Sequence, residues 1–374
     1  MHPLAEPFCP RCDRPRGSDA EWRCSSCGGP FDLPRWSEPA PTWPRAGEGL
    51  WRYADWLGVE TPVRLGEART PLVELAWPPF ESPVNCKLEG VLPTGSFKDR
   101  GMAVAVSRLR SLGAPGVAID SSGNAGAALA AYAASVELPC RVFAPETASP
   151  AKLAQIRAYG AEVVLVPGPR TRTTERALEE LGDYLYGSHM WDPYFLVGTQ
   201  TFAFELVEQL GGAVPHAVVV PLGAGTLLLG AYLGFDALRS AGLADRIPRL
   251  YGIQVDACAP LAGAFGGGAP EAADVPCEPS VAEGVLIARP PRARAVLNAV
   301  RTTGGSILSV SDAEVIASLS ALAGRGIYAE PTSALGVAGL GALVRAGILD
   351  PQERVVVALT GHGLKAGHVF ERLA

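Results

Sequence analysis

Short apolar runs and longer amphipathic segments alternate through the middle and the C-terminal part of the chain. The apolar runs, typical of buried strands, lie at residues 117–120, 140–143, 162–166, 216–220, 250–255 and 355–359. Segments with apolar residues at helical spacing lie at residues 125–135, 150–159, 173–185, 199–210, 226–239, 312–323 and 332–346. Strands that alternate with helices predict an α/β fold in which helices cover both faces of parallel sheets.

The same pattern suggests the domain organisation. The alternation of strands and helices pauses between Gly187 and Val197, so the chain is expected to divide near that segment. Proline and tryptophan are frequent ahead of the first helices, which predicts an ordered arm packed on the body rather than a flexible linker. The expected regions are a zinc-ribbon-like segment (1–35), the arm (36–62), a large domain (63–99 and 185–374) and a small domain (100–184).

The first region carries two Cys-x-x-Cys pairs, Cys9 with Cys12 and Cys24 with Cys27. Two residues between the cysteines of a pair allow both thiolates to face one tetrahedral cation. Two pairs complete a shell of four sulfur ligands with no open position, which is typical of a structural zinc (Zn²⁺) site. Iron is the alternative metal. Two disulfides are the alternative pairing, which a reducing compartment disfavours.

Composition and charge exclude several classes of partner. The chain of 374 residues has a formal charge of -6 and a pI near 5.5. Neither nucleic acid nor an anionic membrane is attracted to a net negative surface, so neither is expected as a partner. No uncharged apolar run approaches the length of about 18 residues that spans a membrane, and the N-terminus does not resemble a secretory signal. We therefore expect a cytoplasmic protein.

Four polar or glycine-rich turns lie at residues 93–101, 121–126, 223–226 and 360–363, close to predicted strands. Ligands of open parallel sheets bind beyond the carboxyl ends of the strands, where such turns are found. The turn at residues 223–226 leads into a helix, whose free N–H groups and positive end favour a phosphate. Gly223-Ala224-Gly225 is also the start of a dinucleotide-binding motif, but Gly230 comes too late to complete that motif.

Lys98 lies in the first of these turns, next to Phe97 and at the expected start of a helix. Most lysines are solvated surface charges. Close to a positive helix end and partly removed from water, however, the ammonium is disfavoured and the pKa of the lysine falls. A neutral amine can form a Schiff base with an aldehyde cofactor. Such an amine, together with a phosphate-binding turn, indicates a site for pyridoxal 5'-phosphate.

The sequence KLEGVLPTGSFKDRGM, from Lys87 to Met102, closely resembles the cofactor-lysine segment of threonine synthases. These enzymes belong to the tryptophan-synthase-β-like group of pyridoxal-phosphate enzymes, which is fold-type II. Further segments resemble the family at residues 66–72, 121–132, 198–201, 330–334 and 360–365. The similarity extends from about Trp51 to the C-terminus. It implies a two-lobed α/β fold with parallel sheets, an amino-acid substrate and a homodimer.

The resemblance also implies roles for single residues. Lys98 would be the catalytic residue, bonded to the cofactor and able to transfer protons. The cofactor contacts would be Lys98, Phe97, Asn124 at the ring hydroxyl, Thr360 at the ring nitrogen, and Gly223, Ala224, Gly225 and Thr226 at the phosphate. The substrate contacts would be Lys87, Glu283 and the backbone N–H groups of Ser121, Ser122 and Ala125.

The chain departs from threonine synthases where the family binds the phosphate of O-phosphohomoserine. Phe195 and Leu286 stand where the family has arginines, and His189 replaces a polar residue of the same clamp. Of the residues that form this clamp in the family, Lys87 is present in this chain. Each lost charge-assisted contact is worth about 1.5–3 kcal/mol. The alternative clamp residues nearby are Arg289, Arg292 and Arg294.

Ala282-Glu283-Gly284 resembles a segment of serine/threonine dehydratases and serine racemases, whereas Ala125 after the loop asparagine is typical of threonine synthases. The predicted function is a pyridoxal-phosphate-dependent amino-acid lyase or synthase that eliminates or replaces a β or γ substituent. Conversion of O-phosphohomoserine to threonine is the leading activity. The alternatives are a serine/threonine dehydratase, a β-replacement synthase acting on serine or O-phosphoserine and, from another class, a non-catalytic zinc-ribbon binding protein.

Overall fold

The computed structural model describes residues 6–35, 43, 47–148, 150–168 and 170–371. Two parts of the expected N-terminal regions lie outside this range. They are residues 1–5 of the zinc-ribbon-like segment and residues 36–42 and 44–46 of the proline- and tryptophan-rich arm. None of the helices in the described residues combines the length and the apolar character that crossing a membrane requires.

Short strands alternate with longer helices along most of the described chain. The strands are β1 (Leu72–Leu75), β2 (Val84–Leu88), β3 (Val117–Ile119), β4 (Cys140–Pro145), β5 (Glu162–Val166), β6 (Leu185–Tyr186), β7 (Ala217–Pro221), β8 (Arg249–Val255), β9 (Ser306–Val310) and β10 (Val355–Leu359). The helices are α1 (Ala54–Leu57), α2 (Lys98–Ser111), α3 (Asn124–Ala134), α4 (Pro150–Ala158), α5 (Arg170–Glu179), α6 (Pro193–Thr199), α7 (Thr201–Gln209), α8 (Thr226–Ser240), α9 (Pro260–Gly266), α10 (Ala293–Thr302), α11 (Asp312–Ala323), α12 (Pro331–Arg345) and α13 (Gly367–Phe370).

The described chain forms two compact units. Unit 1 contains residues 6–69, 92–94 and 98–201, and unit 2 contains residues 70–91, 95–97 and 202–371. The division differs from the expected boundary at residues 184/185, because α6 packs against α2 within unit 1.

Unit 2 contains a sheet in the order β1-β2-β10-β7-β8-β9. Only the β1–β2 pair is antiparallel among these strands, and the other neighbours run in parallel. Every residue of β7 and of β10 is buried, because both strands are central and α12 packs on them. Continuous apolar runs of this kind are typical of parallel strands covered on both faces.

Unit 1 contains a parallel sheet in the order β5-β4-β3-β6. Helix α3 packs on β4 and against α2. Trp22 of the N-terminal segment packs edge-on against Tyr186 and Trp191, with ring centroids 5.3 and 4.8 Å apart. In the arm, Trp43 stacks on the buried Tyr53 at 5.2 Å. Trp22 and Trp43 therefore pack against other aromatic residues of unit 1.

Two predictions of secondary structure were wrong. The helix predicted over residues 173–185 ends at Glu179, and Leu185 begins β6 instead. Gly182, at a φ of +57°, lies in the turn between them. The expected pause at residues 187–197 contains α6, which Asp192 caps by accepting a hydrogen bond from the Tyr194 N–H at 2.8 Å.

Candidate active site

Turns at the carboxyl ends of β2, β10 and β7 lie along one edge of the unit 2 sheet. They are neighbours because β10 pairs in parallel with both β2 and β7. The turn that begins at Thr360 follows β10, and Gly223, Ala224 and Gly225 follow β7. The structure therefore brings together at this edge turns that the sequence singled out separately.

The residues just before Lys98 are tied to the turn after β10. The Phe97 N–H donates to the Thr360 carbonyl at 2.9 Å, and Ser96 forms a bridge with Gly361. The Ser96 hydroxyl is buried and has no hydrogen-bond partner. Because buried polar atoms are usually satisfied, this hydroxyl indicates a place for a polar group from outside the chain.

Thr360 is buried and its hydroxyl is held by Ser333. The two hydroxyl oxygens are 3.2 Å apart, and the Gly361 N–H donates to the Ser333 hydroxyl at 2.7 Å. Ser333 lies in the first turn of α12. Sequence reasoning did not assign a role to Ser333, although its segment resembles a family segment. A role for Ser333 only becomes visible once α12 is placed beside β10.

The turn after β7 needs glycine for two reasons. Gly225 has a φ of +83°, in the left-handed region, and a Cβ on this residue would lie 2.4 Å from a methyl carbon of Val296. A Cβ on Gly223 would lie 3.1 Å from the Cα of Val285. No side chain caps the start of α8 here. The first N–H groups of α8 therefore emerge from a close-packed turn that suits a phosphate.

In unit 1, two turns lie at the carboxyl ends of neighbouring strands. β3 pairs in parallel with β6, so the turn that carries Ser121 and Ser122 lies beside the turn that carries Ser188 and His189. Helix α3 begins at Asn124, directly after the first of these turns. The predicted carboxylate-binding and asparagine residues are therefore grouped at one edge of the unit 1 sheet.

Asp120, the last residue before the first turn, is buried and links both turns. Its carboxylate accepts hydrogen bonds from the hydroxyls of Tyr186 at 2.7 Å and Thr174 at 2.6 Å, and it pairs with Arg170. Burial, followed by the nearby Asp120 charge, raises the pKa of Tyr186 well above its usual value. The tyrosine is therefore a neutral donor, and this network fixes the end of β3 to the end of β6.

Lys98 begins α2 and lies beside an aromatic ring. Its Nζ is 5.8 Å from the centroid of the Phe195 ring. Phe195 is fully buried and packs on Gly101, where a Cβ would lie 2.4 Å from the ring. A side chain at position 101 would displace Phe195, so Gly101 is what allows the ring to lie this close to α2 and Lys98.

His189 also lies beside this ring. The centroids of the His189 and Phe195 rings are 5.7 Å apart. Burial and then the positive charges of Lys98 and Arg170 lower the pKa of His189 well below its usual value, so the imidazole is neutral. Its buried Nδ1 and the buried hydroxyl of Ser188 have no hydrogen-bond partner. From the sequence, His189 stood out only as a departure from the family.

Lys87 lies in a different environment from the one expected for a substrate contact. It is fully buried, and its Nζ donates to Glu205 Oε1 at 2.5 Å, Gln209 Oε1 at 2.6 Å and the Thr70 carbonyl at 2.7 Å. These acceptors account for all three N–H donors of an ammonium group. The arrangement argues for a structural ion pair within unit 2 and against a free cation for a substrate phosphate.

Glu283 is exposed and lies in a 3-10 turn, Glu283–Val285, next to the glycine turn of Gly223. The nearby arginines are already engaged. Arg289 pairs with Asp274 and Arg294 with Glu271, both at 2.7 Å. Arg292 is buried. Their role as an alternative phosphate clamp stays a prediction.

The four N-terminal cysteines converge in unit 1. The sulfurs of Cys9, Cys12, Cys24 and Cys27 all lie within 4.8 Å of one another. Three of the Sγ–Sγ distances are 3.4, 3.5 and 3.8 Å. A tetrahedral shell with Zn–S bonds of about 2.3 Å places its sulfurs about 3.8 Å apart, so the cluster has the dimensions of a zinc site.

The other four cysteines lie away from this cluster. Cys258 and Cys277, which the sequence left unassigned, are joined by a disulfide in unit 2. Cys86 and Cys140 are free thiols, and burial raises the pKa of each to about 12. A thiol with such a pKa is not a nucleophile at neutral pH, so neither residue is a candidate for covalent catalysis.

The chain is similar to known proteins over most of its length. Residues 63–361 match the family described as pyridoxal-phosphate dependent enzyme. A threonine synthase of Methanocaldococcus jannaschii is 37% identical over 85% of this chain and 80% of that protein. A threonine synthase of Methanosarcina acetivorans is also 37% identical, over 84% of this chain and 80% of that protein.

A solved structure shares the fold. The processed form of threonine deaminase isoform 2 from Solanum lycopersicum superimposes with a TM-score of 0.68 over 91% of this chain and 98% of that chain, at 21% identity. The predicted fold class, α/β of fold-type II with parallel sheets, is confirmed by this similarity and by the family match.

Proposed function

This chain belongs to the pyridoxal-phosphate-dependent enzyme family and is related to threonine synthases, and from that premise we propose that Lys98 is its cofactor lysine and catalytic residue. The main observation in support of this proposal is the position of Lys98 in the structure. It begins α2 beside Phe195, and it directly follows Ser96 and Phe97, which are tied to the turn after β10.

The residues next to Lys98 in the sequence, and those of the glycine-rich turns, have groups that could bind pyridoxal phosphate. The N–H groups at the start of α8, which no side chain caps, suit its phosphate. The unpartnered Ser96 hydroxyl would gain a hydrogen bond from a bound polar group. The proposed cofactor contacts are Lys98, Phe97, Asn124, Thr360, Gly223, Ala224, Gly225 and Thr226, in the roles that the family resemblance implies.

Different residues of the protein would have different roles in catalysis. When bound, the cofactor supplies an electron sink for the negative charge left at the substrate α-carbon. Lys98 would hold the cofactor, and its amine, when free, would remove the substrate α-proton. The N–H groups of Ser121, Ser122 and Ala125, at the start of α3, would hold the substrate carboxylate. Thr360 offers a neutral hydroxyl, kept in place by Ser333.

The proposed substrates are amino acids with a leaving group at the β or γ carbon. The similarity to threonine synthases supports conversion of O-phosphohomoserine to threonine as the first candidate. The second candidate is deamination of serine or threonine, or β-replacement on serine or O-phosphoserine. Phe195 and the neutral His189 beside Lys98 favour serine and threonine over the phosphate esters of either group, because neither side chain supplies positive charge for a phosphate.

A substrate panel tests the proposal. Holoenzyme is mixed separately with O-phosphohomoserine, O-phosphoserine, serine and threonine, each with and without sulfide as an added nucleophile, and the products are identified by mass spectrometry. Threonine, a 2-oxo acid with ammonia, or a β-substituted alanine would each support a lyase or synthase of this type. Failure of every amino acid to change the absorption of the bound cofactor would contradict it.

Replacing Gly225 with alanine should weaken cofactor binding by at least about tenfold. A left-handed backbone costs a residue with a Cβ about 1–2 kcal/mol, and the contact with Val296 adds to this cost. Gly242 provides a matched control, because it has a φ of +70° but nothing within 4 Å of an added Cβ. Titration of apoenzyme with pyridoxal phosphate should separate the two variants, and equal affinity in both would contradict the proposed role of the turn.

We also propose that Cys9, Cys12, Cys24 and Cys27 hold a structural zinc ion. Four thiolates leave no open position on the metal, so the ion would stabilise the N-terminal segment rather than take part in the reaction. Cys9 and Cys24 are buried and pack with Phe31, which places the site inside the segment's own small core.

The zinc proposal predicts about one zinc per chain in purified protein, measured by elemental mass spectrometry. Replacing Cys24 with serine should remove most of this metal and lower the thermal midpoint, because the metal links both cysteine pairs. Cys140→Ser is the control, since Cys140 lies on β4 outside the cluster. Unchanged zinc content in Cys24→Ser would show that the cluster does not bind zinc.

A further inference from the structure

His189 and Ser188 are buried polar residues, and each has a side-chain atom that makes no hydrogen bond within the fold. Their side chains are 8% and 0% exposed, and the His189 Nδ1 and the Ser188 hydroxyl have no hydrogen-bond partner. An unsatisfied buried polar atom costs about 1–3 kcal/mol. A cost of this size at two adjacent residues is understandable if a ligand supplies the missing hydrogen bonds.

The position of His189 indicates which ligand this is. It follows β6, which is the parallel neighbour of β3, and the proposed carboxylate-binding residues follow β3. It also lies beside the Phe195 ring, as Lys98 does: the ring centroid is 5.7 Å from that of the imidazole and 5.8 Å from the lysine Nζ. A substrate bound between the lysine and the start of α3 would meet His189 and Phe195 with its side chain.

This part of unit 1 offers little positive charge to a substrate. The imidazole is neutral, because burial and the charges of Lys98 and Arg170 lower the pKa of His189. Arg170 is engaged by Asp120 and Thr174. Phe195 is apolar. A phosphate dianion buried against His189 and Phe195 would lose its hydration without gaining an ion pair from either side chain, whereas a hydroxyl needs only one or two hydrogen bonds.

We propose that His189 and Phe195 determine substrate specificity by forming an uncharged pocket that receives the substrate's side chain and prefers a free hydroxyl to a phosphate ester. This inference rests on the proposed role of Lys98, and between the two candidate substrate groups it selects the β- or γ-hydroxy amino acids over O-phosphohomoserine. The His189 Nδ1 hydrogen-bonds the hydroxyl, and the Phe195 ring packs against the carbon that bears it.

The first test compares free and phosphorylated substrates on the wild-type holoenzyme. We expect kcat/KM for serine, threonine or homoserine to exceed that for O-phosphoserine and O-phosphohomoserine by at least about 100-fold, the size expected from two missing charge-assisted contacts. Equal or better use of a phosphate ester would overturn the inference. Absence of turnover with both classes, together with an unchanged cofactor spectrum, would instead contradict the proposed function itself.

The second test uses His189→Leu, which removes the hydrogen-bonding group and replaces the imidazole with an apolar side chain. We expect KM for the hydroxy substrate to rise about tenfold or more, whereas binding of alanine, which lacks the hydroxyl, should change little. Alanine binding is read from the absorption of the bound cofactor. Equal weakening for alanine and for the hydroxy substrate would show a merely structural role and overturn the inference.

Two further variants keep the inference testable if His189→Leu does not fold. His189→Asn retains a hydrogen-bonding group and should recover part of the lost affinity for the hydroxy substrate. Phe195→Arg introduces a cation beside Lys98, and it should shift the preference toward phosphate esters by about tenfold or more. An unchanged preference in Phe195→Arg, with the cofactor still bound, would contradict the proposed pocket.

Discussion

Lys98→Ala should reduce turnover by at least about 10⁴-fold while the protein remains folded. The variant lacks both the amine that bonds to the cofactor and the base that removes the α-proton, so no other group can restore either step. Alanine is a good helix former, and α2 begins at this position, which makes loss of the helix unexpected. Steady-state kinetics and circular dichroism measure the two parts of this prediction.

Two controls sharpen the result. Lys98→Arg keeps the positive charge but not the reactive amine, so it should be as inactive as the alanine variant. Arg110→Ala removes an exposed positive charge from the last turn of the same helix, about 18 Å along its axis from Lys98, and should leave turnover within about twofold of wild type. Full activity in Lys98→Ala would overturn the assignment of the cofactor lysine.

Glu205→Ala should lower the free energy of unfolding by about 3–5 kcal/mol, the usual cost of leaving a buried charge without its partner. Glu205 and Lys87 are 1% and 0% exposed, and Glu205 Oε1 also accepts hydrogen bonds from the N–H and the hydroxyl of Thr70. Its removal would leave the buried Lys87 ammonium without its Glu205 carboxylate partner and the Thr70 N–H without this acceptor. Urea denaturation, followed by fluorescence, measures the loss.

The matched controls are an exposed ion pair and a double substitution. Glu179→Ala breaks the exposed Arg172–Glu179 pair on α5 and should cost no more than about 1 kcal/mol. Lys87→Met combined with Glu205→Leu removes both buried charges and should recover most of the lost stability. A loss below about 1 kcal/mol in Glu205→Ala would show that the pair is not a structural element of unit 2.

The parallel strands of the fold were predictable because burial on both faces makes them continuous apolar runs. β5, β10 and α11 have the boundaries expected from the sequence. β2 was not predicted, because Asn85 and Lys87 interrupt its apolar pattern. Both residues are nevertheless buried, and Lys87 is neutralised by Glu205, which is far away in the sequence. A partner at such a separation cannot be read from local patterns.

For the candidate site, too, some features could be predicted from the sequence and others could not. The four turns were recognisable because glycine and hydroxyl residues mark strand ends. Ser333, Ser96 and His189 were not assigned roles, because their significance depends on neighbours that only the fold supplies. For His189, the informative signals are its burial, its unpartnered Nδ1 and the Phe195 ring beside it.

The most direct measurement of the central claim is reduction of the holoenzyme with sodium borohydride, followed by proteolysis and mass spectrometry. Reduction converts the carbon–nitrogen double bond between lysine and cofactor into a stable single bond. We predict that the mass of the reduced cofactor is found on the peptide that contains Lys98. Its presence on Lys87, Lys152 or Lys365 instead, or its absence from every peptide of a protein that binds the cofactor, would contradict the account.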